Sequence, residues 1–227
     1  MATQLDLQEQ EQLDALKAFW KQQGNLITWV LILVLGAFAA WNGWQYWQRK
    51  QATQAGAIFE ALDRAAGGGE LDKAEHIFGD LKDRYPGTAW AEQGGLLTAK
   101  LESAQGRADA AQATLSWVAE HATEDEYRTI ARLRLAAMQA DAKHYDAALA
   151  TLDAAKPLTF GALIADRRGD ILLAQGKKEA ARAAYQEAWK GMDAKVEYRR
   201  LIDAKLTALG AAPDAAPAAS AASGAAR

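Results

Sequence analysis

GKKEAARAAY, residues Gly176–Tyr185, is one of four versions of the same ten-residue pattern. The others are GELDKAEHIF (69–78), GRADAAQATL (106–115) and KHYDAALATL (143–152). Each carries an acid (Asp72, Asp109, Asp146, Glu179), then an alanine two residues later (Ala74, Ala111, Ala148, Ala181). Four residues after the alanine comes a large apolar side chain: Phe78, Leu115, Leu152 or Tyr185. Successive alanines are 37, 37 and 33 residues apart. A period near 34 built from helix-forming residues marks an array of stacked helix pairs.

The spacing has a direct physical reading. Alanine and the large residue four positions on share one face of a helix. The small one lets the partner helix approach, and the large one fills the space between. Gly69, Gly106 and Gly176 open the pattern where a chain leaving a helix turns with positive φ. The acids fall at the start of the second helix, where they are expected to cap exposed N–H groups and meet the positive dipole end. One pair cannot bury its apolar face, so neighbours stack. The predicted first helices (A) cover about 51–66, 89–104, 126–141 and 160–175, and the second helices (B) about 70–84, 108–121, 145–155 and 177–191. Residues 195–209, with Val196, Leu201, Ile202, Leu206 and Leu209, read as an amphipathic helix capping the array. Beyond the span described below, valine occurs only at Val118 and Val196, so almost no sheet is expected.

These units resemble the tetratricopeptide repeat. The last is the clearest, with Gly169, Gly176, Ala181, Tyr185 and Ala188 on that repeat's Gly, turn, Ala, aromatic and Ala positions. The first keeps Gly69, Ala74, Phe78 and the closing Pro86. Units two and three depart from it: Ala99 and Ala136 stand where the helix A glycine belongs.

Upstream lies LITWVLILVLGAFAAWNGWQYW, Leu26–Trp47, inside a stretch from Lys21 to Arg49 that holds no charged side chain. As a helix it measures roughly 33 Å, against about 30 Å of hydrocarbon in a bilayer. Trp20 and Trp29 near one end, and Trp41, Trp44, Tyr46 and Trp47 near the other, suit the two interfaces. A buried core helix would show a polar face, and this stretch has only Thr28 and Asn42, with Gln45 at its end. Ala37-Phe38-Ala39 matches a signal-peptidase pattern, but the preceding region is long and acidic and the uncharged run continues past it. An uncleaved anchor is the preferred reading. Lys17 and Lys21 before it and Arg49 and Lys50 after it leave orientation undecided by charge. The expected organisation is a tail (1–25), an anchor (26–47), an all-α repeat domain (51–209) of about four helix pairs plus a capping helix, and a disordered Ala/Pro-rich tail (211–227). Leu5, Leu7, Leu13, Leu16, Phe19 and Trp20 give the first tail a rough helical spacing.

Composition narrows the chemistry. The 227-residue chain has a net charge of -3, no cysteine and no basic stripe with interleaved aromatics, which argues against nucleic acid. His76, His121 and His144 lie in different repeats without metal-ligand spacing. Gly67-Gly68-Gly69 joins two helices and lacks the Lys-Ser/Thr of a phosphate loop. No serine sits in a nucleophile elbow, and the plentiful carboxylates read as a solvated surface. Neither an enzyme nor a cofactor is expected. Solenoids of this kind bind partners along their A helices. The repeat register assigns that face to Phe59, Gln93, Leu96, Lys100, Ile130, Leu133, Leu163, Asp166 and Asp170.

Taken together, the tail EQLDALKAFWKQQGN, the span ending in GWQYWQ and the helical repeats resemble the YfgM family of bacterial inner-membrane proteins, over roughly residues 8–209. The resemblance implies a cytoplasmic N-terminus, one signal-anchor helix in the inner membrane and a periplasmic repeat domain. It also implies contact with the SecYEG translocon and a membrane-anchored periplasmic chaperone, in the handling of unfolded or secreted polypeptides. Two other readings fit the same residues: a regulatory adaptor that sequesters a signalling protein, and a scaffold of an envelope assembly.

Overall fold

The computed structural model describes residues 7–157 and 159–211. Among these the chain forms nine helices and no strand. They are α1 (Leu7–Gly67), α2 (Leu71–Arg84), α3 (Ala89–Ala104), α4 (Ala108–His121), α5 (Asp125–Asp141), α6 (Tyr145–Asp153), α7 (Gly161–Ala174), α8 (Lys178–Gly191) and α9 (Tyr198–Ala208). The chain divides into two compact units, residues 1–53 and 54–227. The expectations placed on residues 1–6 and 212–227 lie outside the described residues.

The first unit holds the apolar stretch. It is the one segment among the described residues long and apolar enough to cross a membrane. From Leu26 to Trp47 every large apolar side chain except Ile27 is more than half exposed. At about 1.5–3 kcal/mol per side chain, leaving a dozen of them in water costs roughly 20 kcal/mol or more, a cost that burial in lipid removes. Thr28 and Asn42, two polar side chains inside the span, turn back onto their own helix. Thr28 Oγ1 donates to the Gly24 carbonyl at 2.8 Å, and Asn42 Nδ2 donates to the Phe38 carbonyl at 2.9 Å. Within the helix these bonds spare Thr28 and Asn42 the need for water, while the indole and phenol donors of the span gather toward its two ends.

In the second unit the end of α1 from residue 54, with α2, forms the first helix pair, and α3/α4, α5/α6 and α7/α8 form the next three. From α2 on, each helix packs on the next, and α3 also meets α5, as α5 meets α7. Ala74, Ala111, Ala148 and Ala181 are fully buried, and Phe78, Leu115, Leu152 and Tyr185 nearly so. The close-approach residues of the pattern thus form the core.

Four A-to-B turns share one geometry. Gly69, Gly106 and Gly176 have φ of 71°, 78° and 79°, and Lys143 stands at the equivalent place in unit three with φ 63°. In each, that residue's N–H bonds the carbonyl three residues back and the next N–H bonds the carbonyl five back, as with Gly106 to Ser103 and Arg107 to Glu102. This double bond satisfies the last carbonyls of helix A. A non-glycine residue there costs about 1 kcal/mol. The acids of the pattern do not cap as expected. The N-cap residues of the B helices are Glu70, Arg107, His144 and Lys177, and none makes a side-chain cap bond. The acids sit two residues beyond the N-cap, where they still face the dipole, and Asp72 and Asp146 reach sideways to the next repeat while Glu179 pairs with Arg182 of its own helix. Asp72 accepts from Arg107 of the next repeat at 2.7 Å, and Glu75 joins the same guanidinium at 3.1 Å.

The departures from the repeat pattern are matched by volume. Gly169 opposes Tyr185, and a Cβ there would lie 2.5 Å from the ring. In units two and three, Ala99 and Ala136 occur with the smaller Leu115 and Leu152. Unit one has two large residues, Leu62 and Phe78, and its room comes from the next helix. A Cβ on Gly94 would stand 3.0 Å from Leu62 and from Leu81, and one on Gly95 would collide with Val118 and press the Phe78 ring. Interiors are packed too tightly to absorb either pair without such a gap.

Candidate functional site

The A helices α3, α5 and α7 lie side by side, and a cavity of about 380 Å³ opens between them. Its floor is apolar: Ala99 and Leu115, with Leu133, Ala137 and Met138 along α5. Its rim is polar, with Ser103 and three cations: Lys100 from α3, Arg134 from α5 and Arg167 from α7.

Of the nine side chains assigned to this face from the repeat register, Lys100 and Leu133 line the cavity. Gln93, half-buried, donates to the Tyr127 hydroxyl at 2.8 Å, which ties α3 to α5. Ile130 packs against the α3–α5 core, and Leu96 lies within it. Leu163 is half-buried on α7. Phe59 stacks obliquely on Trp90, ring centres 5.1 Å apart, within the first repeat's core. Arg134 and Arg167 were not singled out from sequence, although the signal was there. They are 33 residues apart, at one register of successive A helices.

Asp166 and Asp170 do different work. Asp166 is 2 % exposed, and both its oxygens accept from Lys205 Nζ at 2.8 and 2.9 Å, with the Tyr198 hydroxyl at 2.8 Å. Asp170 accepts from the same ammonium at 2.7 Å and from the Tyr185 hydroxyl at 2.8 Å. Tyr198 and Lys205 belong to α9, whose Ile202 and Leu206 bury against Ala181, Tyr185 and Ala188. The capping helix is therefore held by an apolar seam and by the two carboxylates at the end of the A-helix row. Burial, then the hydrogen bond and nearby charge of Asp166, push the Tyr198 hydroxyl up to about 12. Burial and Asp170 raise Tyr185 further.

Two more carboxylates depart from the solvated surface expected of them. Glu92, on α3, is 1 % exposed and accepts from the Thr123 backbone N–H just before α5, at 2.6 Å. It ties α3 to the chain entering α5, whose N-cap residue Glu124 makes no side-chain cap bond. Glu102, 3 % exposed, accepts from the Thr114 hydroxyl on α4 at 3.1 Å. Burial raises the pKa of both above the usual carboxylate value, against the lowering effect of those hydrogen bonds. Among the described residues no group of His, Cys, Asp and Glu is arranged to hold a metal ion.

Comparison with known proteins agrees with this architecture. A family model described as a tetratricopeptide repeat-like domain matches residues 17–211. The "Ancillary SecYEG translocon subunit" of Neisseria gonorrhoeae is 30% identical over 204 residues, 89% of this chain and 98% of the relative. That of Escherichia coli is 30% identical over 185 residues, covering 80% and 87%. That of Haemophilus influenzae is 31% identical over 182 residues, covering 80% and 89%. With its apolar N-terminal helix and its stack of four helix pairs under a cap, the chain belongs to the YfgM family of ancillary translocon subunits.

Proposed function

We propose that this protein is a single-pass inner-membrane tether that presents a protein-binding solenoid beside the SecYEG channel, and that it works by binding rather than catalysis. In this reading residues 1–25 are cytoplasmic, 26–47 span the membrane and the repeat domain, 51–209, is periplasmic. The A-helix face takes extended segments of other proteins, with Phe59, Gln93, Leu96, Lys100, Ile130, Leu133 and Leu163 forming or backing it and Asp166 and Asp170 closing its end. A membrane-anchored periplasmic chaperone and emerging, still unfolded polypeptides are the partners. Anchoring raises the effective concentration of a weak binder at the channel exit, so modest contacts suffice. The observation that carries the proposal is the open, apolar-floored cavity between α3, α5 and α7 in a chain with one bare apolar helix, among the described residues, that suits a bilayer.

The absence of cysteine makes the test clean. Lys178→Cys, on an exposed site of α8, should react with a membrane-impermeant maleimide in intact spheroplasts. A photo-crosslinker at Leu133 should capture translocon subunits and secreted chains, while one at Lys178 should not. Labelling only after lysis would reverse the topology, and capture at Leu133 that omits translocon components would remove the proposed role.

A further inference from the structure

We infer that the cavity between α3, α5 and α7 selects acidic peptide segments, with carboxylate side chains spaced along an extended chain and aliphatic ones between them. The inference rests on the groove being a peptide site and adds the chemistry of what enters it. Three cations ring an apolar floor: Lys100 on α3, Arg134 on α5 and Arg167 on α7. Lys100 and Arg134 are exposed, and the Arg167 side chain is 37 % exposed. Their existing engagements are slight. One Arg134 nitrogen donates to the Leu96 carbonyl at 3.2 Å, leaving most of its fork open. Arg167 approaches Asp170 at 3.6 Å, a carboxylate already held at 2.7 Å by Lys205 and at 2.8 Å by Tyr185. Lys205 balances one of the two negative charges at that end, so Asp170 still competes for Arg167 at 3.6 Å, while Lys100 and Arg134 are left to act on a ligand.

The distribution of charge chooses between ligands. A single terminal carboxylate is best met by donors converging on one point. Here each cation stands on a different, successive A helix, and packed helices sit about 8–10 Å apart. An extended chain advances about 3.3 Å per residue. Carboxylates about every third residue therefore meet successive cations, and the side chains between them meet Leu133, Ala137 and Met138. Arginine's planar fork suits a carboxylate better than a point charge does.

The test uses the full-length protein in mild detergent and two dye-labelled, end-blocked peptides, Glu-Leu-Ser-Glu-Leu-Ser-Glu and its Gln-for-Glu counterpart, followed by fluorescence anisotropy. The Glu peptide should bind about tenfold tighter or more, and rising salt should weaken it. The triple variant Lys100→Ala, Arg134→Ala, Arg167→Ala should lose that preference while retaining its helical circular dichroism and melting temperature. The triple variant Lys177→Ala, Lys178→Ala, Lys195→Ala, equal in charge and outside the cavity lining, should retain it. Equal binding of the two peptides, no binding of either, or an unaltered preference in the first variant overturns the inference. Leu133→Asp separates the two levels. If both peptides bind equally and Leu133→Asp abolishes both, the groove stands and its acidic selectivity falls. If peptides bind and Leu133→Asp changes nothing, the groove reading itself falls.

Discussion

Leu26–Trp47 and the eight helices from α2 to α9 are both rich in apolar residues, yet they dispose of them in opposite ways. The span displays large side chains to its surroundings and packs almost nothing. The repeats place alanine and glycine at helix contacts, and each large side chain fills a space that a small one leaves open. The difference lies in what covers the apolar surface, lipid in one case and the next helix in the other. Equal substitutions should therefore have unequal effects in the two regions.

The largest effect is expected where α9 closes the array. Lys205→Met leaves Asp166 buried without its cation and should cost about 3–5 kcal/mol in thermal or urea unfolding of the repeat domain, with membrane insertion unchanged. Leu33→Arg should do the reverse. It adds about 3 kcal/mol to insertion, read by resistance to carbonate extraction, and leaves the melting of the repeats alone. The sharpest contrast is one change made twice. Gly169→Ala drives a methyl into the Tyr185 ring and should cost about 1–3 kcal/mol, whereas Gly36→Ala, with no atom nearby to meet it, should be silent. Equal costs at the two positions would break the comparison outright. Within the repeats, Lys143→Gly should stabilise by about 1 kcal/mol and Gly106→Ala destabilise by about as much, since both turns need positive φ.

The smallest effect concerns pH. Burial raises the Glu102 carboxyl above its unfolded value of 4.5, so the folded chain holds a proton that the unfolded chain releases. The stability it contributes is complete below pH 4.5 and is lost as pH rises through the higher folded value. Glu102→Gln keeps an acceptor for Thr114 without the charge. It should flatten that part of the profile and leave the variant the more stable protein at neutral pH, as urea titrations on either side of the window would show.

Much of the fold was legible in the residues. Helices α2 to α8 lie within one or two residues of the spacing-based boundaries, because a 34-residue period and a 3.6-residue face are local properties; α9 starts three residues later than expected, and the first A helix, expected from about 51, is the end of the longer α1. The acids of the repeat were misjudged because proximity to a helix start does not say whether a carboxylate folds back or reaches across to Arg107. The groove was legible in outline. Lys100 and Leu133 were found by register, while Arg134 and Arg167 were missed because they lie one residue outside the positions that face the groove most directly. Long side chains reach in from there.

The amino-acid sequence by itself determined the class of structure: a lipid-length helix, four helix pairs with a small residue at each crossing, and a capping helix. Hydropathy and periodicity suffice for that, since each residue's contribution depends only on its neighbours along the chain. Only the tertiary structure decided which charges are buried, where unit one finds room for Leu62 and Phe78, and why Asp166 and Asp170 hold α9. Those outcomes depend on which side chains arrive from a repeat or more away, and in a close-packed interior that arrival sets both the free volume and the electrostatic environment.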